Sequence, residues 1–200
     1  MSTQTVVADI TMSLDGYVTG PKPDLEHGLG HGGEPLHDWV MKGDPIDAAI
    51  LQRAVDRSGA VVMGRRTFDL VDGPHGWSDD MGYGAGHAAT PPVFVVTHEP
   101  PASWRLGERF SFATGGVSDA IGQARGAAGD KDVVVMGGGD VIRQALDEGL
   151  VDELVLHIAP MVVGDGAPLF EGAHLRQLQQ VSVEVSPYAT HVAYRLPAST

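Results

Sequence analysis

The chain has 200 residues, of which 42% are apolar and 20% charged, and its formal net charge is −13 at pH 7. This size and composition are ordinary for one globular domain with a substantial core. Because the chain has no cysteine, disulfides, zinc–thiolate sites and a thiol nucleophile are excluded. The acidic balance argues against a nucleic-acid partner, since binding to a phosphate backbone depends on clustered Lys and Arg.

A buried strand and a turn are predicted near the N-terminus. Residues 5–10 form an apolar, β-branched run, and Asp15-Gly16 is a turn signal after it. Asp15 is either a plain turn residue or a carboxylate at the carboxyl end of a central strand, where open α/β sheets place ligands. Neither a signal-peptide pattern nor a run near about 18 apolar residues is visible, so we expect a cytoplasmic protein without a membrane partner.

Residues 19–43 are rich in Gly, Pro and His and predict a long loop. A loop of this length inside a compact domain is usually functional, often as a lid over a site. His27, His31 and His37 raise the alternative of a metal site, but no fixed scaffold or carboxylate spacing accompanies them. We therefore expect a mobile loop and no metal.

A helix is predicted to begin at Asp44. Asp44 is a favourable N-cap and Pro45 suits the first helical position, while Ser58-Gly59 is typical of a helix end. Asp47 falls in the first turn. It either favours the helix dipole or is the buried acid that a reductase needs beside its substrate.

Two predicted strands each run into a glycine turn and the start of a helix. Residues 60–63 precede Gly64-Arg65-Arg66-Thr67, and residues 132–136 precede Gly137-Gly138-Gly139. Glycine lets backbone amides approach a ligand, and a helix N-terminus attracts anions. The alternatives without a ligand are that the turn at 137–139 only reverses the chain and that the arginines at 65–66 belong to an exposed basic helix surface. Two such turns in one sheet, one of them with arginines, favour a phosphorylated dinucleotide.

The helix after the three glycines is predicted to have Asp140 as its N-cap and to end at Gly149. The three glycines do not form the dinucleotide fingerprint G-x-G-x-x-G, because Ile142 stands where the last glycine would be. The turn alone therefore leaves phosphate binding open.

The rest of the chain completes one α/β domain over residues 1–200. Further strands are predicted at 92–97, 109–114 and 154–159, a helix capped by Ser118, and an antiparallel pair at 180–185 and 190–196. The order β, α, β, α, β, β, α, β, α, β, β, β predicts three layers, α/β/α, around a mainly parallel sheet with antiparallel C-terminal strands.

Five segments in order resemble the dihydrofolate reductase-like superfamily, and more closely the reductase domain of the riboflavin-biosynthesis deaminase-reductase proteins. They are Ser-Leu-Asp-Gly at 13–16, Met-Gly-Arg-Arg-Thr-Phe at 63–68, Val-Val-Thr-His at 95–98, Met-Gly-Gly-Gly at 136–139 and the Pro-to-Phe segment at 160–170. The resemblance implies a dihydrofolate reductase-like fold, NADPH as cofactor and a homodimer.

The resemblance also implies roles for the residues of the turns. Arg65 would lie near the adenosine 2′-phosphate and Thr67 near the pyrophosphate. Thr97-His98 replaces the Ser-Arg of many relatives, which leaves NADPH or NADH preference open and introduces a pH-dependent group. The full set of expected cofactor-binding residues is Gly64, Arg65, Arg66, Thr67, Thr97, His98, Gly137, Gly138, Gly139, Val141 and Ile142.

At the substrate end the resemblance offers two catalytic acids, Asp15 and Asp47. Either could orient a heterocycle and relay a proton, with a pKa raised by burial. Deaminase motifs are missing from the sequence, so deamination is excluded. The loop at 27–37 argues against assuming either the riboflavin intermediate or dihydrofolate as substrate.

The expected function is therefore an NADPH-dependent reductase of the dihydrofolate reductase or 5-amino-6-(5-phosphoribosylamino)uracil reductase type. Its expected substrate is a small heterocyclic, pteridine- or pyrimidine-like, or carbonyl compound. The alternatives are a non-catalytic NADP(H)-binding protein and a flavin-using reductase.

Overall fold

The computed structural model describes residues 4–78, 81–85, 90–174 and 176–197. The helices are α1 (Asp38–Met41), α2 (Pro45–Arg57), α3 (Arg65–Val71), α4 (Val117–Ala127) and α5 (Gly139–Asp147), with a 3-10 helix, Glu34–His37, before α1. The strands are β1 (Val6–Ser13), β2 (Tyr17–Thr19), β3 (Ser58–Gly64), β4 (Val93–Val96), β5 (Phe110–Ala113), β6 (Asp132–Met136), β7 (Glu153–Ala159), β8 (Ala167–Pro168), β9 (Gln179–Val185) and β10 (Thr190–Arg195).

Eight of these strands form one sheet in the order β5-β4-β3-β6-β1-β7-β10-β9. The pairs from β5 to β7 are parallel, whereas β10 is antiparallel to both β7 and β9. The short strands β2 and β8 make a separate antiparallel pair. The predicted mainly parallel sheet with antiparallel C-terminal strands is confirmed.

The two faces of β1 show how the sheet is covered. Val6, Ala8 and Ile10 point into the main core, which also contains the inward residues of α4 and α5. The alternate residues, Asp9 and Thr11, face the side covered by α2, because successive side chains of a strand point to opposite faces. The polar residues of β1 therefore lie under α2.

The carboxyl ends of β1, β3 and β6 lie at one edge of the sheet, because these strands are parallel neighbours. Helix α2 leads directly into β3 at Ser58, so the start of α2 lies toward this same edge. In open α/β sheets this edge is where ligands bind.

Two predicted helix caps are wrong. Helix α5 begins at Gly139 with Gly138 as its N-cap, and Asp140 lies inside the first turn, paired with Arg143. The N-cap of α4 is Gly116, with Ser118 already helical. Gly116 has φ +89°, a conformation that glycine adopts without steric cost. The N-cap Asp44 of α2 is confirmed, since it accepts a hydrogen bond from the Ile46 amide at 2.9 Å.

The predicted loop at 19–43 is shorter in the structure, because the 3-10 helix and α1 occupy residues 34–41. Residues 20–33 form turns without a regular helix or strand. The backbone of this long loop folds on itself, with the Gly20 amide 2.7 Å from the Leu29 carbonyl and the His31 amide 2.9 Å from the Pro21 carbonyl. A Cβ on Gly33 would lie 1.9 Å from the Leu29 oxygen, so this close approach requires glycine. Among the described residues, no helix is both long and apolar enough to cross a membrane.

Candidate functional site

The glycine turn after β6 is joined to the turn after β3. The Gly138 amide donates to Thr67 Oγ1 at 2.9 Å, and a Cβ on Gly64 would lie 2.9 Å from Val141 Cγ2. Gly137 has φ +49°. Glycine is therefore required at Gly64 by the close approach of the two turns and at Gly137 by its positive φ.

Helix α5 begins at this junction without a side-chain cap in the described part of the chain. The first amides of an α-helix have no intrahelical acceptor, so an uncapped N-terminus suits an anion. Gly139 lies in the first turn, where a Cβ would meet Val18 Cγ2 at 3.3 Å. The arrangement fits the pyrophosphate of a dinucleotide.

The two arginines of the β3 turn point to different partners. Arg65 Nε donates to Asp69 Oδ1 at 2.7 Å, and its Nη1 donates to the Glu99 carbonyl at 2.6 Å. Arg66 Nη2 instead donates to the carbonyl of Pro23, in the long loop, at 2.8 Å. Only Arg65 of this pair is thus joined to the segment after β4.

Thr97 and His98 lie beside Arg65. Thr97 Oγ1 donates to the same Glu99 carbonyl at 2.8 Å, and His98, next in the chain, is exposed. Arg65 and Thr97, two of the residues expected near a 2′-phosphate, therefore meet at the Glu99 carbonyl, and the Thr97 hydroxyl shapes the turn.

Val141 and Ile142 occupy the core below the glycine turn. Ile142 is fully buried and Val141 is 5% exposed. Both belong to the main hydrophobic cluster. Their observed contacts anchor α5 under the turn.

Asp15 lies at the carboxyl end of β1, as one of its two interpretations required, but it is exposed. Its carboxylate accepts from Ser13 Oγ at 2.6 Å and from the amides of Val163 and Gly164 at 3.0 and 2.8 Å. The Ser13 hydroxyl, followed by these two amides, lowers the pKa of Asp15 to about 2. The expected raised pKa is wrong for Asp15, because hydrogen bonds to the carboxylate favour its charged form.

Asp47 is the buried acid of this edge. It lies in the first turn of α2 and is 0% exposed. Its Oδ1 lies 2.8 Å from His191 Nε2, at hydrogen-bond distance, whereas its buried Oδ2 has no hydrogen-bond partner among the described residues. Asp47 is therefore buried, and its role beside a substrate stays a prediction.

Asp47 is one end of a line of four titratable side chains. His191 Nδ1 lies 2.7 Å from His157 Nδ1, and His157 Nε2 lies 2.9 Å from Asp9 Oδ1. We call Asp47, His191, His157 and Asp9 the acid–histidine chain. Its members come from α2, β10, β7 and β1, and strand register places His191 directly beside His157.

The acid–histidine chain is largely shielded from solvent. His157 and His191 are 2% and 5% exposed. The Trp39 ring lies 4.1 Å from the His157 ring, and Trp39 Nε1 donates to Thr11 Oγ1 at 2.9 Å. Burial, and then repulsion from His157, lower the pKa of His191, while Asp47 opposes them.

Sequence reasoning missed Asp9, His157 and His191. Each is a titratable residue inside a strand, with an apolar residue next to it on at least one side. Since buried ionisable groups are rare unless paired, this pattern is a usable signal of a buried polar network. It does not say which residues pair.

The long loop brings one group of possible metal ligands together. One ligand atom each of Asp24, His27 and His31 lie within 4.8 Å of one another. Asp24 Oδ1 already accepts hydrogen bonds from the amides of Glu26 and His27, and Asp24 and His31 are exposed. These contacts explain the turn without a metal.

Comparisons with known proteins give the family context of this site. The sequence profile of the RibD C-terminal domain matches residues 4–192. A Bacillus subtilis (strain 168) protein of uncharacterised function, YyaP, is 23% identical over 170 residues, which are 82% of this chain and 79% of that protein.

Solved structures show the same fold. A candidate riboflavin biosynthesis protein from Shewanella sp. PV-4 is 24% identical, with a TM-score of 0.68 over 97% of this chain and 99% of that one. The diaminohydroxyphosphoribosylaminopyrimidine deaminase/5-amino-6-(5-phosphoribosylamino)uracil reductase of Thermotoga maritima is 17% identical, with a TM-score of 0.61 over 97% of this chain and 57% of that one. The predicted resemblance and fold are confirmed.

Proposed function

Because the chain belongs to the RibD C-terminal domain family, we propose that it is an NADPH-dependent reductase in which Asp47 donates the proton. The observation that carries this proposal is the fully buried Asp47 carboxylate, whose Oδ2 has no partner among the described residues. A buried polar atom without a partner costs free energy. A substrate amine, amide or protonated ring nitrogen beside Oδ2 would remove that cost.

The glycine turns would hold the cofactor. The uncapped start of α5 suits the pyrophosphate, and Arg65, beside Thr97 and His98, suits the 2′-phosphate. When bound, NADPH supplies the hydride, while the protein supplies position and charge. Binding of NADPH in preference to NADH is part of the proposal.

Asp47 would act at the substrate. Its place at the start of α2 puts it toward the carboxyl edge of the sheet, on the face opposite α4 and α5. There it would orient a small heterocyclic or carbonyl compound and give a proton to the atom next to the carbon that receives hydride. Asp15, with its lowered pKa, is suited to fixing the loop at 160–164 rather than to moving a proton.

We also propose that the protein is a cytoplasmic homodimer. The outer strand β9 is exposed throughout, and the alternating Val181, Val183 and Val185 are 47%, 46% and 60% exposed. An unpaired apolar edge strand is a ready pairing surface. Light scattering on the wild type and on Val183→Lys should show twice the monomer mass only for the wild type; equal monomer masses would contradict the dimer.

The test of the proposed function combines cofactor titration with a substrate panel. NADPH and NADH are titrated separately, following nicotinamide fluorescence, and NADPH consumption is then measured with 5-amino-6-(5-phosphoribosylamino)uracil, dihydrofolate and small carbonyl compounds. Saturable NADPH binding with turnover of one compound supports the proposal. Binding without turnover of any member would favour a non-catalytic NADP(H)-binding protein, and a yellow purified protein a flavin-using reductase.

A further inference from the structure

The long loop carries a cluster of possible metal ligands that the proposed reductase function does not use. We propose that Asp24, His27 and His31 bind one divalent transition-metal ion, for which Zn²⁺ is the best match, with water completing the coordination. One ligand atom from each of the three residues already lies within 4.8 Å of the others. The proposal does not depend on the role of Asp47 or on the cofactor.

The structure supplies what the sequence pattern of these histidines lacks. In the sequence, His27, His31 and His37 have neither a fixed scaffold nor a carboxylate at a ligand spacing. In the folded loop Asp24 provides the carboxylate, with its Oδ1 3.3 Å from His27 Nδ1, and the rings of His31 and His27 lie 4.5 Å apart. His37 instead ends the 3-10 helix. The expectation of no metal is therefore replaced for residues 24–31.

The distances between the ligand atoms suit one ion. Bonds from zinc to nitrogen and oxygen are about 2.1 Å long, so two ligand atoms of a tetrahedral zinc ion lie about 3.4 Å apart. Asp24 Oδ1 and His27 Nδ1, at 3.3 Å, already have this spacing. Since all three ligand atoms lie within 4.8 Å of one another, the His31 nitrogen must move by no more than about 1.4 Å. Rotation of this exposed side chain supplies that movement.

Backbone hydrogen bonds fix the three residues before any ion binds. The amides of Asp24 and Gly30 donate to the His27 carbonyl at 3.1 and 2.8 Å. The His31 amide donates to the Pro21 carbonyl at 2.9 Å. Because the turn holds itself together, binding an ion requires little further ordering of the chain. The ligands are therefore preorganised.

One glycine makes the close crossing of the loop possible. Gly30 lies between the two histidines in the sequence and has φ +76°, and a Cβ on it would lie 2.2 Å from the Gly20 oxygen. A residue with a side chain would therefore have to displace the backbone, whereas glycine adopts this conformation without steric cost. The fold of residues 20–33 thus determines where His31, the next residue, is placed.

The Asp24 carboxylate can hold the turn and an ion together. Its Oδ1 accepts hydrogen bonds from the amides of Glu26 and His27 at 2.9 and 2.7 Å. A carboxylate has about four lone-pair sites on its two oxygens, so these two amides leave sites for an ion. Carboxylates that bind metals are commonly oriented by such hydrogen bonds. The contacts that form the turn therefore also orient the ligand.

The chemistry of the ligands selects the kind of ion. Two imidazole nitrogens and one carboxylate suit Zn²⁺ and its transition-metal neighbours, whereas Mg²⁺ and Ca²⁺ prefer oxygen ligands throughout. Three protein ligands leave the fourth position to water. Asp24 and His31 are exposed, so an ion reaches them from solvent. Since the chain has no cysteine, no thiolate of the protein competes for Zn²⁺.

A bound ion would fix the loop against α3. Arg66 Nη2 donates to the carbonyl of Pro23, the residue before Asp24, at 2.8 Å, and a Cβ on Gly28 would lie 3.4 Å from Leu70 Cδ2. The segment with the ligands therefore packs on the helix that begins at the β3 glycine turn. Because the ion binds the folded loop, the melting temperature of the protein should rise with Zn²⁺ concentration.

The experiment titrates Zn²⁺ into the 200-residue chain without a polyhistidine tag, after dialysis against a chelator, and measures the heat of binding. We expect one ion per chain in the wild type. Asp24→Asn, His27→Gln and His31→Gln, measured singly, should each weaken Zn²⁺ binding by about tenfold or more. Mg²⁺, titrated in the same way, should give no saturable binding.

The matched control is His75→Gln, because His75 is an exposed histidine outside the loop; this variant should bind Zn²⁺ like the wild type. Absence of saturable Zn²⁺ binding in the wild type overturns the proposal. Wild-type affinity in any of the three loop variants also overturns it, because the ion would then be adventitious. If a loop variant does not fold by circular dichroism, histidine ¹⁵N spectra of the wild type decide: Zn²⁺ must shift the ring nitrogens of His27 and His31 but not those of His75.

Discussion

The glycine turns lie at the carboxyl edge of the sheet and the acid–histidine chain lies under α2, and the two regions are built in opposite ways. Each turn is a short contiguous segment of the sequence, and the two turns contact each other through Gly138 and Thr67. The acid–histidine chain joins Asp47 to His191 across 144 residues and His157 to Asp9 across 148. The difference teaches that the glycine turns are encoded by local sequence, whereas the acid–histidine chain forms only when the complete sheet has formed.

The largest effect should come from breaking the chain at His191. His191→Leu leaves the fully buried Asp47 carboxylate without its hydrogen-bond donor, so the free energy of unfolding should fall by about 3–5 kcal/mol. Urea denaturation measures it, with exposed His75→Leu as the matched control. If the free energy of unfolding falls within about 1 kcal/mol of the control, the acid–histidine chain does not stabilise the region under α2.

The close approach of the two glycine turns can be tested by replacing glycine with alanine, which adds a Cβ. Gly64→Ala places a methyl group 2.9 Å from Val141 Cγ2, and we expect destabilisation of about 1–3 kcal/mol from overpacking. Gly122, inside α4, has no atom within 4 Å of an added Cβ. Gly122→Ala should therefore stabilise by about 0.4–1 kcal/mol. Equal signs in thermal denaturation would contradict the close approach of the two turns.

Arg65 tests which part of the turns recognises phosphate. Arg65→Ala should weaken NADPH binding by about 1–3 kcal/mol, as for a charge-assisted hydrogen bond, and NADH binding much less. Arg66→Ala is the natural control, because Arg66 is bonded to the long loop. Equal losses for both cofactors in fluorescence titrations would place Arg65 away from the 2′-phosphate.

The smallest effect concerns Asp15. Its pKa is lowered from 3.8 to about 2 in the folded protein, so its stabilising contribution is fully present above the unfolded value and is lost as the pH falls through the folded one. The stability difference between the wild type and Asp15→Asn should be constant above about pH 4 and shrink toward pH 2. A difference that stays constant to pH 2 would contradict the observed hydrogen bonds.

Much of the fold was predictable because its signals are local. The apolar run of β6 matches its observed bounds, and Asp44 caps α2 as its side chain requires. The N-caps of α4 and α5 were not predictable. The geometry of the preceding turns places Gly116 and Gly138 at the N-cap positions, and Ser118 and Asp140 lie inside the helices. Strand β2 was also missed, since its three residues are ordered by pairing with β8.

The residues of the candidate site also divide into those predictable from local sequence and those that are not. Gly64, Thr67 and Gly138 were predictable from contiguous motifs, and the structure joins them. Asp9, His157 and His191 meet only through β1, β7, β10 and the helix above them. No spacing rule links residues that approach one another across a finished sheet, so these three side chains required the structure.

The central claim is that buried Asp47 supplies the proton at an NADPH-binding edge, and single-turnover NADPH oxidation in Asp47→Asn tests it most directly. Asp44→Asn is the control, because Asp44 is the half-buried N-cap of the same helix and Asn is an equally good N-cap. The account predicts that Asp47→Asn binds NADPH like the wild type but oxidises it at least on the order of 10² times more slowly, and that Asp44→Asn oxidises it at the wild-type rate. Wild-type oxidation by Asp47→Asn with the same substrate would contradict the claim.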